Sequence, residues 1–461
     1  MLSEASVKCV KGLGFIAVLA VSAMISSVVL ADDLTWIGAE RGGNKEGTIP
    51  AWEGMDKPLA GYTYGKFRGD YWSHKGEKPL FTIDGSNVEK YADKLPPGQV
   101  TVLKTIPGYQ LDVYPTHRDC GFPANVEANT KATMGKSKIA ADGWSFKDAV
   151  LPSIPFSQPK SGIEAMWNFL ARYQGVGVIW PLGRTYVSPR PGGTEPLDLR
   201  YVQSYYMPWA EKDASSPKDS QLFQGLYYGF VKPAAFEGQA LVQRYYWGKD
   251  PESFYYFPGQ RRVRRLPSYA YDSPLIGIEN QYPSDMVFMM IGNPDRFDWK
   301  IIGKKEMYVP YNAFGWMRFD SSLKNSDWAG PKFVKPEYRH YELHRVWVIE
   351  ATVKAGIRHN APHKFFYLDE DSWLPAYAED YDAQGKIWKM KEGTVIPMWD
   401  LGACTNTAGI YVNDLASGRY LVDGVVTGLG KDILNLPRNN GDKTLKDDFY
   451  TGESLRAVSE R

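Results

Sequence analysis

The chain has 461 residues, 43% hydrophobic and 14% aromatic, with 54 Lys and Arg against 53 Asp and Glu. A near-neutral balance excludes a nucleic-acid partner held by a general positive field. The aromatic share favours strands with one wetter face, and although the length allows two or three domains, the pattern after residue 82 reads as one.

Residues 1–31 read as a cleavable signal peptide. Lys8 and Lys11 precede the apolar run Gly12–Leu30, and Val29-Leu30-Ala31 offers the small residues of a cleavage site. A membrane anchor needs about 20 apolar residues; Asp32 and Asp33 directly after the run favour cleavage and a periplasmic, exported location instead. Cys9 lies before the run, so no lipid attachment is indicated. Loss of Lys8, Lys11 and Glu4 leaves 52 charges of each sign and two cysteines. In an oxidising compartment Cys120 and Cys404 either pair or stay as separate buried thiols.

Residues 32–82 are rich in Gly, Pro and Trp without periodicity, and read as an irregular arm. Ser86 with Glu89, followed by Val88, Tyr91, Ala92 and Leu95 and ended by Pro96-Pro97, predicts a capped helix near 86–95. Ser161 with Glu164 and the stripe Ile163, Met166, Trp167, Leu170 predicts a second helix over 161–173. From Leu222 the period falls to two, in runs including LFQGLYYGFV, ALVQRYYWG, SFYYFPGQRRVRRLP, DMVFMMIG and YELHRVWVIEATVK. The predicted fold class is mainly β with a few helices (α+β), a single domain over 83–429 built as a large curved antiparallel sheet or incomplete barrel roofed by helices. Residues 430–461 read as a polar, loosely ordered tail.

No nucleophile elbow, zinc-protease motif, C-x-x-C, phosphate loop or dinucleotide fingerprint is present. No catalytic residue, cofactor or metal is therefore expected. His340, Glu342 and His344 alternate on one strand face and read as polar residues on its wetter side; His359 and His363 sit in a turn, and Asp369-Glu370-Asp371 reads as an exposed hairpin loop. The hairpin Tyr255–Pro267 carries Arg261, Arg262, Arg264 and Arg265 beside Tyr255 and Phe257. These arginines either pair with acidic neighbours such as Asp272, Asp295 or Asp298, or grip an anionic headgroup at the mouth of a cavity. The candidate lining of that cavity is Trp167, Phe169, Tyr227, Tyr228, Phe230, Tyr245, Tyr246 and Trp247, with Tyr255 and Phe257.

The blocks GAERGGNKEGTIPAWEG, PGYQLDVYPTHR, GIEAMWNFLARY, FPGQRRVRRLPSYAYDSP, DRFDWKIIGKKEMYVPYN and YELHRVWVIEATVKAGIRH, in this order, span about Ile37 to Val426. Together they resemble an uncharacterised periplasmic family of Gram-negative bacteria, described as outer-membrane lipoprotein-sorting-like and similar to the LolA/LolB-like lipoprotein carriers. The resemblance implies a half-barrel roofed by helices around an apolar cavity. It also implies a carrier of a lipid, lipoprotein acyl chains or another apolar ligand, without catalysis, with transient membrane contact and with an inner-membrane exporter of the resistance-nodulation-division type as partner. The carriers that define the superfamily are much shorter than this chain. An enzyme on an apolar or glycan substrate, or an adaptor of an envelope complex, are the alternatives.

Overall fold

A computed structural model describes residues 33–211, 216–218, 221–267, 269, 271–406 and 409–460. Residues 1–31, expected to be a signal peptide, lie outside them. Sixteen strands form one mixed sheet. In chain order they are β1 Phe81–Asp84, β2 Gln110–Val113, β3 Gly177–Val187, β4 Leu197–Tyr206, β5 Leu222–Lys232, β6 Ala240–Tyr246, β7 Lys249–Phe257, β8 Arg262–Arg265, β9 Phe297–Pro310, β10 Tyr341–Val353, β11 His363–Asp369, β12 Pro375–Tyr381, β13 Ile387–Gly393, β14 Ile410–Asp414, β15 Arg419–Val425 and β16 Leu434–Leu436. The longest path runs β1-β2-β10-β11-β12-β13-β14-β15-β3-β4-β5-β6-β7-β8, with β9 on β10 and β16 on β3. Most neighbours are consecutive antiparallel hairpins; the β2–β10 contact, Val113 with Tyr341, is parallel. Among the described residues β1, β8 and β9 are unpaired on their far sides, so the sheet does not close into a barrel.

Alternation sorts the side chains onto two faces. The inner face, defined by the largest apolar cluster, carries Tyr205, Tyr228, Tyr255, Phe366, Ala378 and Val412. It is covered by α2 (Ala124–Thr133) and α3 (Gly162–Leu170) through Val126, Met166 and Phe169, and by residues 278–291. The outer face of β10–β15 packs under α1 (Pro97–Thr105) through Val102 and Leu103. At the other end, the outer face of β6 and β7 packs under α4 (Gly452–Ser459) through Leu455.

Several elements differ from expectation. The helix predicted near 86–95 is two short 3-10 turns, Val88–Lys90 and Ala92–Lys94. Ser86 does not cap it: its N–H and hydroxyl both donate to Asp84 (2.8 and 2.6 Å), a local turn that competes with helix initiation. The true helix starts one step later, where Pro97 takes the first helical position and Pro96 stays extended. The 161–173 stripe does form a helix, over Gly162–Leu170. A Cβ at Gly162 would lie 2.4 Å from the Lys300 nitrogen, so only glycine lets this end abut β9. Hydrogen-bonded strands occur well before Leu222, as the β1–β2 pair and then from Gly177 onward; β4 shows the alternation plainly in Leu199, Tyr201 and Tyr205, all on the inner face. The described part of the tail, 430–460, is packed rather than loose: β16 pairs with β3, and Leu445, Phe449, Tyr450 and Leu455 are buried. Thr451 accepts the Ser454 N–H (3.1 Å) as the N-cap of α4.

Cys120 and Cys404 form a disulfide with Cα atoms 5.3 Å apart across 284 residues of chain. So long a closed loop restricts the unfolded ensemble strongly. Serine at both positions is expected to lower the urea-unfolding free energy by about 2–4 kcal/mol, and an unchanged midpoint in non-reducing buffer would contradict this.

Candidate functional site

The inner face of β4–β7 is the aromatic wall that a cavity requires, but the space before it is filled. Tyr228, Phe230 and Tyr255 line a void of about 20 Å³ with Leu226, Val287 and Asp423. That is room for one water, far below the roughly 300–1,000 Å³ of a ligand pocket. The expected hollow is therefore closed in this conformation, and the physical reason is the run DMVFMMIG, Asp285–Gly292, which was expected to be a strand. It forms an irregular turn with Val287 extended and Phe288 left-handed. Met286, Val287, Phe288, Met289, Met290 and Ile291 are all buried in the inner cluster. Phe288 stacks on Trp180, centroids 5.6 Å apart, and tilts against Tyr205 at 5.2 Å.

This plug is strained. Of nine described non-glycine residues with positive φ, Phe288 and Met289 lie in it, and Tyr271, Glu279 and Asn280 lie in the connection that leads to it. Each such conformation costs on the order of 1–3 kcal/mol. Glycines bracket it, Gly277 at φ 89° and Gly292 at φ 92°; a Cβ on either would come within 3.0 Å of an aromatic ring, Phe230 or Tyr245. Asp285 anchors the plug. Its carbonyl accepts the N–H groups of Met290 and Ile291. Its carboxylate lies 2.8 Å from His359 Nε2 and 3.5 Å from Lys364 Nζ. Burial would raise this carboxyl, but Lys364 and His359 outweigh it and hold it well below the usual range. Lys364 continues into a buried ladder, 4.0 Å from Asp380, which in turn pairs with Lys391 at 2.7 Å.

The remaining candidates divide by face. Trp167, Phe169, Tyr245 and Trp247 belong to the inner cluster, away from the void. Trp167 and Trp247 stack at 5.7 Å. Tyr227 and Tyr246 point elsewhere: Tyr227 meets Phe449 under α4 (5.5 Å), and the Tyr246 hydroxyl donates to Glu252 (2.6 Å). Phe257 packs on Tyr255 at 4.7 Å. In the β7–β8 register Arg264 pairs with Tyr255 and Arg262 with Phe257, so both exposed arginines share the lined face, at its rim. Arg264 lies over the Phe257 ring (5.4 Å) and bonds Gln260. Arg265 pairs with Glu252 at 3.0 Å, not with the aspartates considered from the sequence. Arg261 is the left-handed residue of the turn.

Two expectations about polar residues are overturned. Glu342 and His344 are fully buried, not on a wetter face, because the segment 117–119 covers them: Glu342 accepts the His117 N–H (2.7 Å) and lies 3.1 Å from His344 Nε2. Asp369-Glu370-Asp371 is also buried, not exposed. Arg118 forks onto Asp371 (2.7 and 2.6 Å) while donating to the carbonyls of Glu40 and Pro50, and Arg345 and Lys304 hold Glu370. The polar network thus pins the N-terminal arm to the sheet. Sequence reasoning missed it because its residues are separated by up to 330 positions in the chain.

His340, stacked on Tyr114 at 3.9 Å, donates Nδ1–H to the Tyr311 carbonyl (2.8 Å). Burial pushes it down to about 3 from 6.5. Between these values the unfolded chain binds a proton that the folded chain does not, so acidification removes stability, about 1.4 kcal/mol per pH unit from this group. Glu342, Asp369 and Asp371, raised by burial, act in the opposite sense. They do so equally in a His340→Asn variant, which is expected to lose less stability than wild type between pH 6.5 and 4.5 by urea unfolding; parallel pH profiles would contradict the assignment.

The family described as protein of unknown function DUF1329 matches residues 82–456. An uncharacterised protein of Pseudomonas aeruginosa is 34% identical over 425 residues, covering 89% of this chain and 91% of the relative. Among solved structures, a domain described as an outer membrane lipoprotein-sorting protein from Vibrio parahaemolyticus aligns with a TM-score of 0.40 and 11% identity, over 62% of this chain and 92% of that one. A DUF1329 protein from Desulfovibrio piger gives 0.38 and 16%, over 61% and 92%. A LolA superfamily protein from Nitrosomonas europaea gives 0.33 and 14%, over 60% and 93%. Likenesses this distant carry no functional statement. No helix among the described residues is long and apolar enough to cross a membrane.

Proposed function

The chain belongs to the DUF1329 family of proteins of unknown function, and from that premise we propose that it is a periplasmic binding protein that takes up an elongated apolar molecule with an acidic end. The ligand lies against the inner face of β4–β7, in the space now held by residues 286–291. The observation that carries this reading is the plug itself: a strained apolar segment, bracketed by glycines, occupies an aromatic face in the manner of a ligand. Strain of this kind persists only where the surrounding packing over-determines it, and it clusters at ligand clamps and switch regions.

Magnitudes favour an exchange. Burying a sixteen-carbon chain is worth roughly 13 kcal/mol at about 0.8 per methylene, and burying the six side chains of the plug roughly 9–18 kcal/mol. The two nearly balance, so the relief of strain and the Asp285 anchor decide the outcome. No covalent chemistry is needed, and release requires a partner that re-seats the plug; the exporter implied by the resemblance would fill that role.

Mass spectrometry of an organic extract from protein purified without detergent is expected to show a stoichiometric acyl or comparably long apolar compound. An extract free of any such compound, together with no binding of palmitate, would refute the carrier. Arg262 and Arg264 at the rim are the headgroup partners. Arg262→Glu with Arg264→Glu is expected to weaken palmitate binding about ten- to a hundred-fold through loss of charge-assisted bonds, while leaving hexadecanol binding and stability unchanged. Equal losses for acid and alcohol would contradict the assignment.

A further inference from the structure

Three metal-ligating side chains converge away from the plug. His74 and Glu77 lie in the turn that follows Tyr71, where the Glu77 N–H donates to the His74 carbonyl (3.0 Å). His117 follows β2 and is fixed through its backbone N–H to Glu342. The two imidazole rings stack with centroids 3.5 Å apart and planes 17° from parallel. Trp72 packs edge-on against both, at 5.5 and 5.8 Å. The Glu77 carboxylate straddles them, Oε2 at 2.8 Å from His117 Nε2 and Oε1 at 3.3 Å from His74 Nδ1. One donor atom from each residue lies within 4.8 Å of the other two.

Donors bound about 2.0–2.2 Å from one ion stand roughly 3 Å apart; the two Glu77–histidine spacings, which are hydrogen-bonded contacts in this structure, fall near that value, and the stacked rings must turn apart to aim both nitrogens at one ion. All three side chains are partly exposed, 34%, 29% and 16% for His74, Glu77 and His117. An ion can therefore reach them from solvent. Beside the two histidines opens a cleft of about 520 Å³ that also carries Asp56 and Asp119.

We propose that His74, Glu77 and His117 form a three-ligand site for a divalent transition-metal ion of the zinc class, with the remaining coordination position open to the cleft. Two imidazoles and one carboxylate suit zinc, cobalt, nickel or copper; calcium and magnesium require predominantly oxygen ligands. The ion would tie the turn of the N-terminal arm to the end of β2. Nothing in the palmitate reading depends on it.

The test uses untagged full-length protein stripped with chelator, titrated with Zn²⁺ by calorimetry and with Co²⁺ by visible absorption. One equivalent bound at micromolar or tighter affinity is expected, with a thermal shift to higher temperature. His74→Asn and Glu77→Gln, conservative changes on a partly exposed turn, should each weaken binding at least tenfold, and His74→Asn with His117→Ala should remove that equivalent and the cobalt spectrum. No binding by the wild type, or the same stoichiometry and affinity in the double variant, would overturn the proposal. The second result would place the ion elsewhere, for example at the buried His344, Asp369 and Asp371.

Discussion

Replacing Asp285 by Asn is expected to raise the affinity for palmitate by about ten- to a hundred-fold. Asp285 is the only acidic residue within Asp285–Gly292, and its carboxylate meets His359 and Lys364, all buried. Removing one member of a buried ion pair costs about 3–5 kcal/mol; here most of that loss falls on the seated conformation of the plug, because Lys364 keeps Asp380 within 4.0 Å once the plug has left. A destabilised plug raises the fraction of molecules competent to bind, and apparent affinity rises by the same factor. Binding of an environment-sensitive apolar dye should rise in parallel. A variant that merely unfolds at lower denaturant, with palmitate affinity unchanged, would show that the plug is ordinary core.

The second large effect is at the opposite end of the inner architecture. Arg118→Met is expected to cost about 3–5 kcal/mol in urea unfolding. It leaves Asp371 without its two-bonded partner beside Asp369 and Glu370, and it frees the carbonyls of Glu40 and Pro50 that hold the arm. The companion Arg118→Met with Asp371→Leu should recover most of the loss, since the uncompensated buried charge disappears with its partner. Arg261→Met, an exposed change in the β7–β8 turn, should stay within about 0.5 kcal/mol of wild type. An Arg118 variant as stable as the control would mean that the buried carboxylates are satisfied without it.

What the sequence revealed follows local periodicity. The Ile163-Met166-Trp167-Leu170 stripe became α3, and the alternating runs from Leu222 became hairpins, because a face that must be buried imposes its period on the chain. The 86–95 helix failed locally, because Ser86 turns back onto Asp84; in the other failures tertiary partners outweighed the local pattern. DMVFMMIG has the composition of a strand, yet it meets a sheet face that is already formed and fills it, with Phe288 and Met289 forced into left-handed backbone. Asp369-Glu370-Asp371 looks like a solvated loop until Arg118, Arg345 and Lys304 arrive from three distant segments. His340, Glu342 and His344 were visible as a same-face set, but the residue that covers them, His117, carries no local signal. The His74–Glu77 pair was legible only as a short H-x-x-E turn, whose third ligand comes 40 residues later.

Hydrogen exchange of residues 284–292, with and without saturating palmitate, tests the account most directly. Bound ligands ordinarily slow exchange of the segments they touch. If the ligand takes the place of the plug, the Met290 and Ile291 amides lose the Asp285 carbonyl and must exchange faster when palmitate is bound. Unchanged or slower exchange at these two amides, with palmitate demonstrably bound, would contradict displacement of the plug.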